Sequence, residues 1–156
     1  MNAPIPTQWI LLLIRVTTGI VLVYYGWPKM RNLKSNAQDF VAMGFRPGML
    51  WGTVIAVVEF FGGIAILTGL YAELAASLFG FQMIVGTFWK LKTKKPFTEY
   101  SYDLQLLALC VVIMAFGAGR FSPASFDATI FLRWGVVLGA VVAGAVFAFT
   151  RRPSAS

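Results

Sequence analysis

Five long apolar runs divide the chain, at about 9–27, 50–70, 74–92, 100–118 and 129–150. A helix covers the hydrocarbon core of a bilayer with about 20 residues, and a range of about 17–25 is common. The first, second and fifth runs meet that length directly. The third and fourth have shorter apolar centres and extend into their flanks, through Lys92 and back to Tyr100. The pattern predicts an all-α, polytopic transmembrane helical bundle formed by a single membrane domain over 1–156. Nothing basic precedes the first run and no small-residue cleavage site follows it, so it is expected to be a membrane span rather than a secretory leader. Between the first two runs, the segment 28–49 is more polar. Ser35 is positioned to cap a short helix over 35–43, which Gly44 ends and Pro47 stops from resuming. With Phe40, Val41 and Phe45 available to rest on the interface, this segment is expected to be a surface helix.

Composition agrees with lipid as the solvent. Hydrophobic residues make up 58% and charged residues 12%, about half the charge an ordinary soluble domain carries. The net charge of +7 is spread in short clusters between the apolar runs. Such clusters are topology signals and contacts for anionic headgroups, so membrane lipids are the expected partner and nucleic acid is not. Lys29, Arg31, Lys34 and Arg46 follow the first run, Lys90, Lys92, Lys94 and Lys95 the third, and Arg151 and Arg152 the fifth. With five spans these ten basic residues share one side, and the opposite side keeps Arg120. The positive-inside rule then places the N-terminus outside and the C-terminus in the cytoplasm of a bacterial-type inner membrane. Trp9, Tyr24, Tyr25, Trp27, Trp51, Trp89, Tyr100 and Tyr102 lie near run ends, where amphipathic rings prefer to sit.

The candidate chemistry is sparse. The chain has no histidine and one cysteine, Cys110, so no cofactor or metal is expected to be held by His or Cys ligation. The commonest general base is also missing. No phosphate loop, nucleophile elbow or triad occurs, and no catalytic residue is assigned. Arg15 in the first run and Glu59 in the second would each be costly if unpaired in lipid, so both are expected to face the bundle interior. Counted from the run ends, they lie roughly 5 Å apart in depth at 1.5 Å per residue. An Arg15–Glu59 ion pair is therefore expected, either as a structural clasp or as a polar site for a ligand head, a quinone or a proton. Arg120 and Arg133 are placed to form, together with Arg15, a basic patch at the outer mouth of the bundle; the alternative, favoured for Arg133, is snorkelling to outer headgroups. Glu99 and Asp103 complement the N-terminus of the fourth helix and can serve as counter-charges to the Lys90–Lys95 cluster. Gly19 and Gly26, Gly62 and Gly63, and a small-residue ladder on Gly135, Gly139 and Ala143 mark packing faces.

Three blocks in order carry a family resemblance: RVTTGIVLVYYGWPK (15–29), GFRP (44–47) with EFFGGIAILTGL (59–70), and GAGRFS (117–122) with Asp127 shortly after. Together they resemble the DoxX family over about residues 9–127. The resemblance implies a four-helix membrane core and brings Arg15, Glu59, Glu99 and Arg120 forward as family-like polar positions. Members of this family are similar to the small subunit of a thiosulfate:quinone oxidoreductase, and some are linked to membrane redox or thiol-stress complexes. The chain departs from the pattern by continuing into a fifth C-terminal helix, a surface for other membrane-complex subunits. The leading expectation is an accessory or anchoring subunit of a membrane redox or respiratory complex, lining a quinone or lipid site. A small lipid, proton or small-anion permease and a purely structural subunit stand as alternatives; no inverted repeat or broken-helix pair of the kind transporters show is present.

Overall fold

A computed structural model describes residues 6–123, which are all-helical with no strand. Helices α1 (Thr7–Arg31), α3 (Gly48–Thr68), α4 (Ala72–Lys92) and α5 (Phe97–Phe116) are each long and apolar enough to cross a membrane. Helix α2 (Leu33–Ala42) is short and lies between the first two spans. The expected fifth span at 129–150, Arg133, Asp127 and the Gly135–Gly139–Ala143 ladder lie outside the described residues.

Neighbouring spans run antiparallel, and small residues set their register. A Cβ on Gly26 would fall 2.6 Å from the backbone nitrogen of Phe60, and one on Gly63 would fall 2.8 Å from Leu22 Cβ and Val23 N. Only glycine lets α1 and α3 approach so closely, and such contacts carry much of helix association in lipid, where water expulsion contributes little. On the other side, Gly80 of α4 meets Cys110 and Leu107 of α5, while Gly86 meets Asp103. Ile66, Ala72, Ala76, Phe79, Cys110 and Ile113 fill the centre. Large apolar side chains such as Leu13, Ile20, Phe61 and Phe88 point outward, as lipid-facing residues should.

Two expected boundaries moved. Helix α1 continues through Pro28 to Arg31 instead of ending near Trp27. Proline in a helix removes one backbone donor and crowds the preceding turn, yet the last turn still closes, with Asn32 N–H donating to Pro28 O. The cap of α2 is Asn32 rather than Ser35; the Asn32 side chain accepts from Ser35 N–H at 3.2 Å. Gly44 does follow the end of α2, with φ +95°. Helix α2 docks on the start of α3: Asn36 Nδ2 donates to Gly52 O at 2.6 Å, and a Cβ on Gly52 would fall 3.0 Å from Ala37 N.

Register also overturns the Arg15–Glu59 pair. Gly26 faces the Glu59–Phe60 peptide, whereas Arg15 packs against Gly69. The two residues therefore sit eleven α1 positions apart in depth, about 16 Å at 1.5 Å per residue. The longer α1 brings a different cation, Lys29, to Glu59.

Candidate functional site

Polar groups gather at two depths. Near the turn between α3 and α4, Arg15 is 2% exposed. Its Nε donates to Ile66 O at 3.2 Å, Nη1 to Ala118 O and Nη2 to Leu67 O. These carbonyls end α3 and follow α5, where terminal backbone acceptors lack helical partners and a cation is favoured. Gly69 holds φ +83°, and its missing side chain is the space that the guanidinium fills. Buried Glu73 accepts from Ala118 N–H at 2.7 Å and acts electrostatically on Arg15. Ser122 Oγ donates to Gly69 O, and Arg120 N–H donates to Gln8 Oε1 at 2.8 Å. This end is a clasp: Arg15 of α1 ties the last turn of α3 to the segment that follows α5, and its guanidinium fills the space beside Gly69.

At the opposite end, on the side of the basic loops, lies a cavity of about 400 Å³ between α2 and the four spans. Glu59, 5% exposed, stands in its wall. Lys29 Nζ donates to both Glu59 oxygens at 2.6 and 2.5 Å, and Gln82 Nε2 donates to Oε1 at 2.6 Å. One carboxylate therefore joins α1, α3 and α4. Because the Gln82 nitrogen is committed to a carboxylate, its amide orientation follows, and Gln82 Oε1 is left as a buried acceptor without a hydrogen-bond partner among the described residues. Lys90 Nζ bridges both oxygens of Asp103 at 2.9 and 2.7 Å, joining α4 to α5. Asp103 is 4% exposed, so these are buried charges that hold only because each is paired. Apart from Asn36 and Asp39 of α2, the rest of the lining is mostly apolar and aromatic, including Phe79, Met83, Trp51 and Trp89, and Trp89 Nε1 donates to Met43 O. The charged lining residues are Lys29 and Lys90 against Asp39, Glu59 and Asp103. The cavity thus carries no excess of positive charge, despite the basic chain.

The expected site residues separate accordingly. Glu59 lines the cavity, whereas Arg15 belongs to the clasp at the other end. Glu99 is outside the cavity on the surface, where Lys95 reaches it at 3.4 Å. Arg120 is exposed near the clasp, and Arg133 lies outside the described residues. Lys29, Gln82 and Asn36 join the site without being among the residues expected there. Gln82 carried a usable signal, as an amide in the middle of an apolar run; Lys29 was hidden among loop charges.

Fold and cavity together define a multi-pass helical membrane protein with a paired-charge pocket inside one half of the bundle. The family model for DoxX matches residues 10–91, and the chain belongs to the DoxX family. It is also 33% identical over 113 residues to a Bacillus subtilis (strain 168) protein named "Putative oxidoreductase CatD", covering 70% of this chain and 80% of that one. No solved structure matches.

Proposed function

We propose that this DoxX-family protein is an accessory, anchoring subunit of a membrane redox complex, and that its cavity holds the head of a quinone. The observation that carries the reading is a polar cluster, Lys29–Glu59–Gln82, set in the wall of a mostly apolar and aromatic cavity whose other lysine, Lys90, is paired with Asp103. At about 400 Å³ the space lies within the usual range for small-molecule sites, which are mostly apolar with a few placed polar groups. A flat, neutral ring with polar oxygens suits such walls. An anion does not, because the two lysines are already neutralised by carboxylates. The name of the Bacillus relative supports a redox setting. With no histidine and one cysteine in the chain, the electrons are supplied by another subunit, and the expected fifth helix at 129–150 is the proposed surface for it.

The test is gentle purification from native membranes followed by mass spectrometry of bound lipids and co-purifying proteins. The expected result is a quinone in the wild type, reduced in Glu59→Leu, together with a redox subunit. Recovery of the chain by itself with no quinone overturns the reading, and recovery with a phospholipid alone turns it into a lipid site. The basic loops are assigned to the cytoplasm on the positive-inside rule. A cysteine placed at Lys94 should react with an impermeant maleimide only after the membrane is opened. Native Cys110 is fully buried and should stay dark; labelling of intact cells reverses the orientation.

A further inference from the structure

The walls of the cavity are not closed alike. Glu59 ties α3 to α1 through Lys29 and to α4 through Gln82, and Lys90–Asp103 ties α4 to α5. Glycine contacts reinforce the α1–α3 and α4–α5 seams. The seam between α1 and α5 is different. At the far end it is pinned by Arg15 on Ala118 O and by Gly119 against Leu11. At the cavity end, the contact across it is a ring pair, Tyr25 on Tyr102, with centroids 5.8 Å apart and planes 62° apart. Both tyrosines line the cavity, and Tyr25 is 52% and Tyr102 39% exposed. Among the described residues they form the wall of the cavity across this seam.

An edge-to-face aromatic pair contributes about 0.5–1.5 kcal/mol, less than breaking a buried ion pair costs, and exposed side chains change rotamer in nanoseconds or less. Of the seams between the described spans, this is the one whose cavity end is held by an aromatic pair rather than by an ion pair or a hydrogen bond to a carboxylate, so it opens most easily, sideways into the bilayer.

We propose that the site takes a ligand built as a polar head on a long apolar tail, which enters from the membrane between α1 and α5. The head rests at Lys29–Glu59–Gln82, and the tail leaves past Tyr25 and Tyr102 into lipid. This rests on the quinone-site reading and adds to it the ligand's tail and its route. A small head without a tail needs no such seam and reaches the cavity from the water side beneath α2.

The experiment uses the full-length chain in nanodiscs with Tyr25→Cys and Tyr102→Cys together. A short, reductant-cleavable bis-methanethiosulfonate bridges the two thiols, while Cys110 is buried and out of reach. Binding of a decyl-benzoquinone and of a tailless benzoquinone is read by quenching of tryptophan fluorescence, since Trp51 and Trp89 line the cavity. The tether should weaken the decyl compound by about tenfold or more, a difference of about 1.4 kcal/mol. Reductant should restore it, and the tailless compound should change by less than about twofold, within the scatter expected of a remote change. Unchanged binding of the decyl compound under the tether refutes the route while leaving the site reading intact. Equal weakening of both compounds also counts against it, because the tether then acts on the head. Failure of either compound to bind the untethered protein removes the site reading, and the route with it.

Discussion

Charge pairing at Glu59 makes an asymmetric prediction about stability. Lys29→Met leaves a carboxylate that is 5% exposed with the Gln82 amide as its remaining donor. Removing one partner of a buried ion pair costs about 3–5 kcal/mol. The Lys29 side chain is 35% exposed, so solvent screens part of the interaction and the cost falls to about 2–4 kcal/mol. Glu59→Leu is milder. The freed ammonium lies in the last turns of α1 and can lift toward the headgroups, so the main loss is the acceptor of Gln82, about 1–2 kcal/mol. The double variant Lys29→Met with Glu59→Leu removes both charges and keeps only the loss of the Gln82 acceptor, so it should cost about 1–2 kcal/mol. Equilibrium unfolding in mixed micelles of rising SDS fraction measures all four proteins, and the cycle should give a coupling of about 2–4 kcal/mol. Single effects that simply add, or a Glu59→Leu loss larger than that of Lys29→Met, would refute the pairing.

Other substitutions test the packing and the clasp. Gly26→Val should destabilise by about 1–3 kcal/mol, because its Cβ would meet the Phe60 backbone at 2.6 Å. Gly62→Ala should stay within about 0.5 kcal/mol, since its Cβ would meet Ala75 at an ordinary 3.8 Å; the same unfolding assay compares them. Arg15→Lys cannot serve the carbonyls of Ile66, Leu67 and Ala118 from one ammonium, so it should cost about 1–3 kcal/mol. Asn36→Leu leaves the Gly52 carbonyl without its donor and should speed amide exchange in α2 selectively, with exchange elsewhere unchanged.

The spans were legible because lipid demands runs of apolar residues, and α1, α3, α4 and α5 fall where the first four runs predict. The site was only half legible, and the reason is register. Sequence marks Glu59 as a charge in lipid but does not say which cation reaches it. That depends on Gly26 packing against Phe60 and on α1 continuing past Pro28. Depth counted from the apparent run ends favoured Arg15, while Lys29 read as a topology signal. Asp103 was visible as an acid among lysines, but its burial follows from the packing of α5 on α4, where Lys90 pairs with it. Asn36 looked like an ordinary polar residue of a surface helix; its bond to Gly52 shows that α2 is part of the cavity wall.

Photolabelling with a tritiated azidoquinone, followed by peptide mapping, addresses the cavity itself. Label should fall on the cavity stretches of α3 and α4, around Trp51–Glu59 and Phe79–Trp89, and excess unlabelled quinone should remove it. Label confined to lipid-facing positions such as Phe61 and Phe88, and indifferent to the competitor, would contradict a quinone site in this cavity.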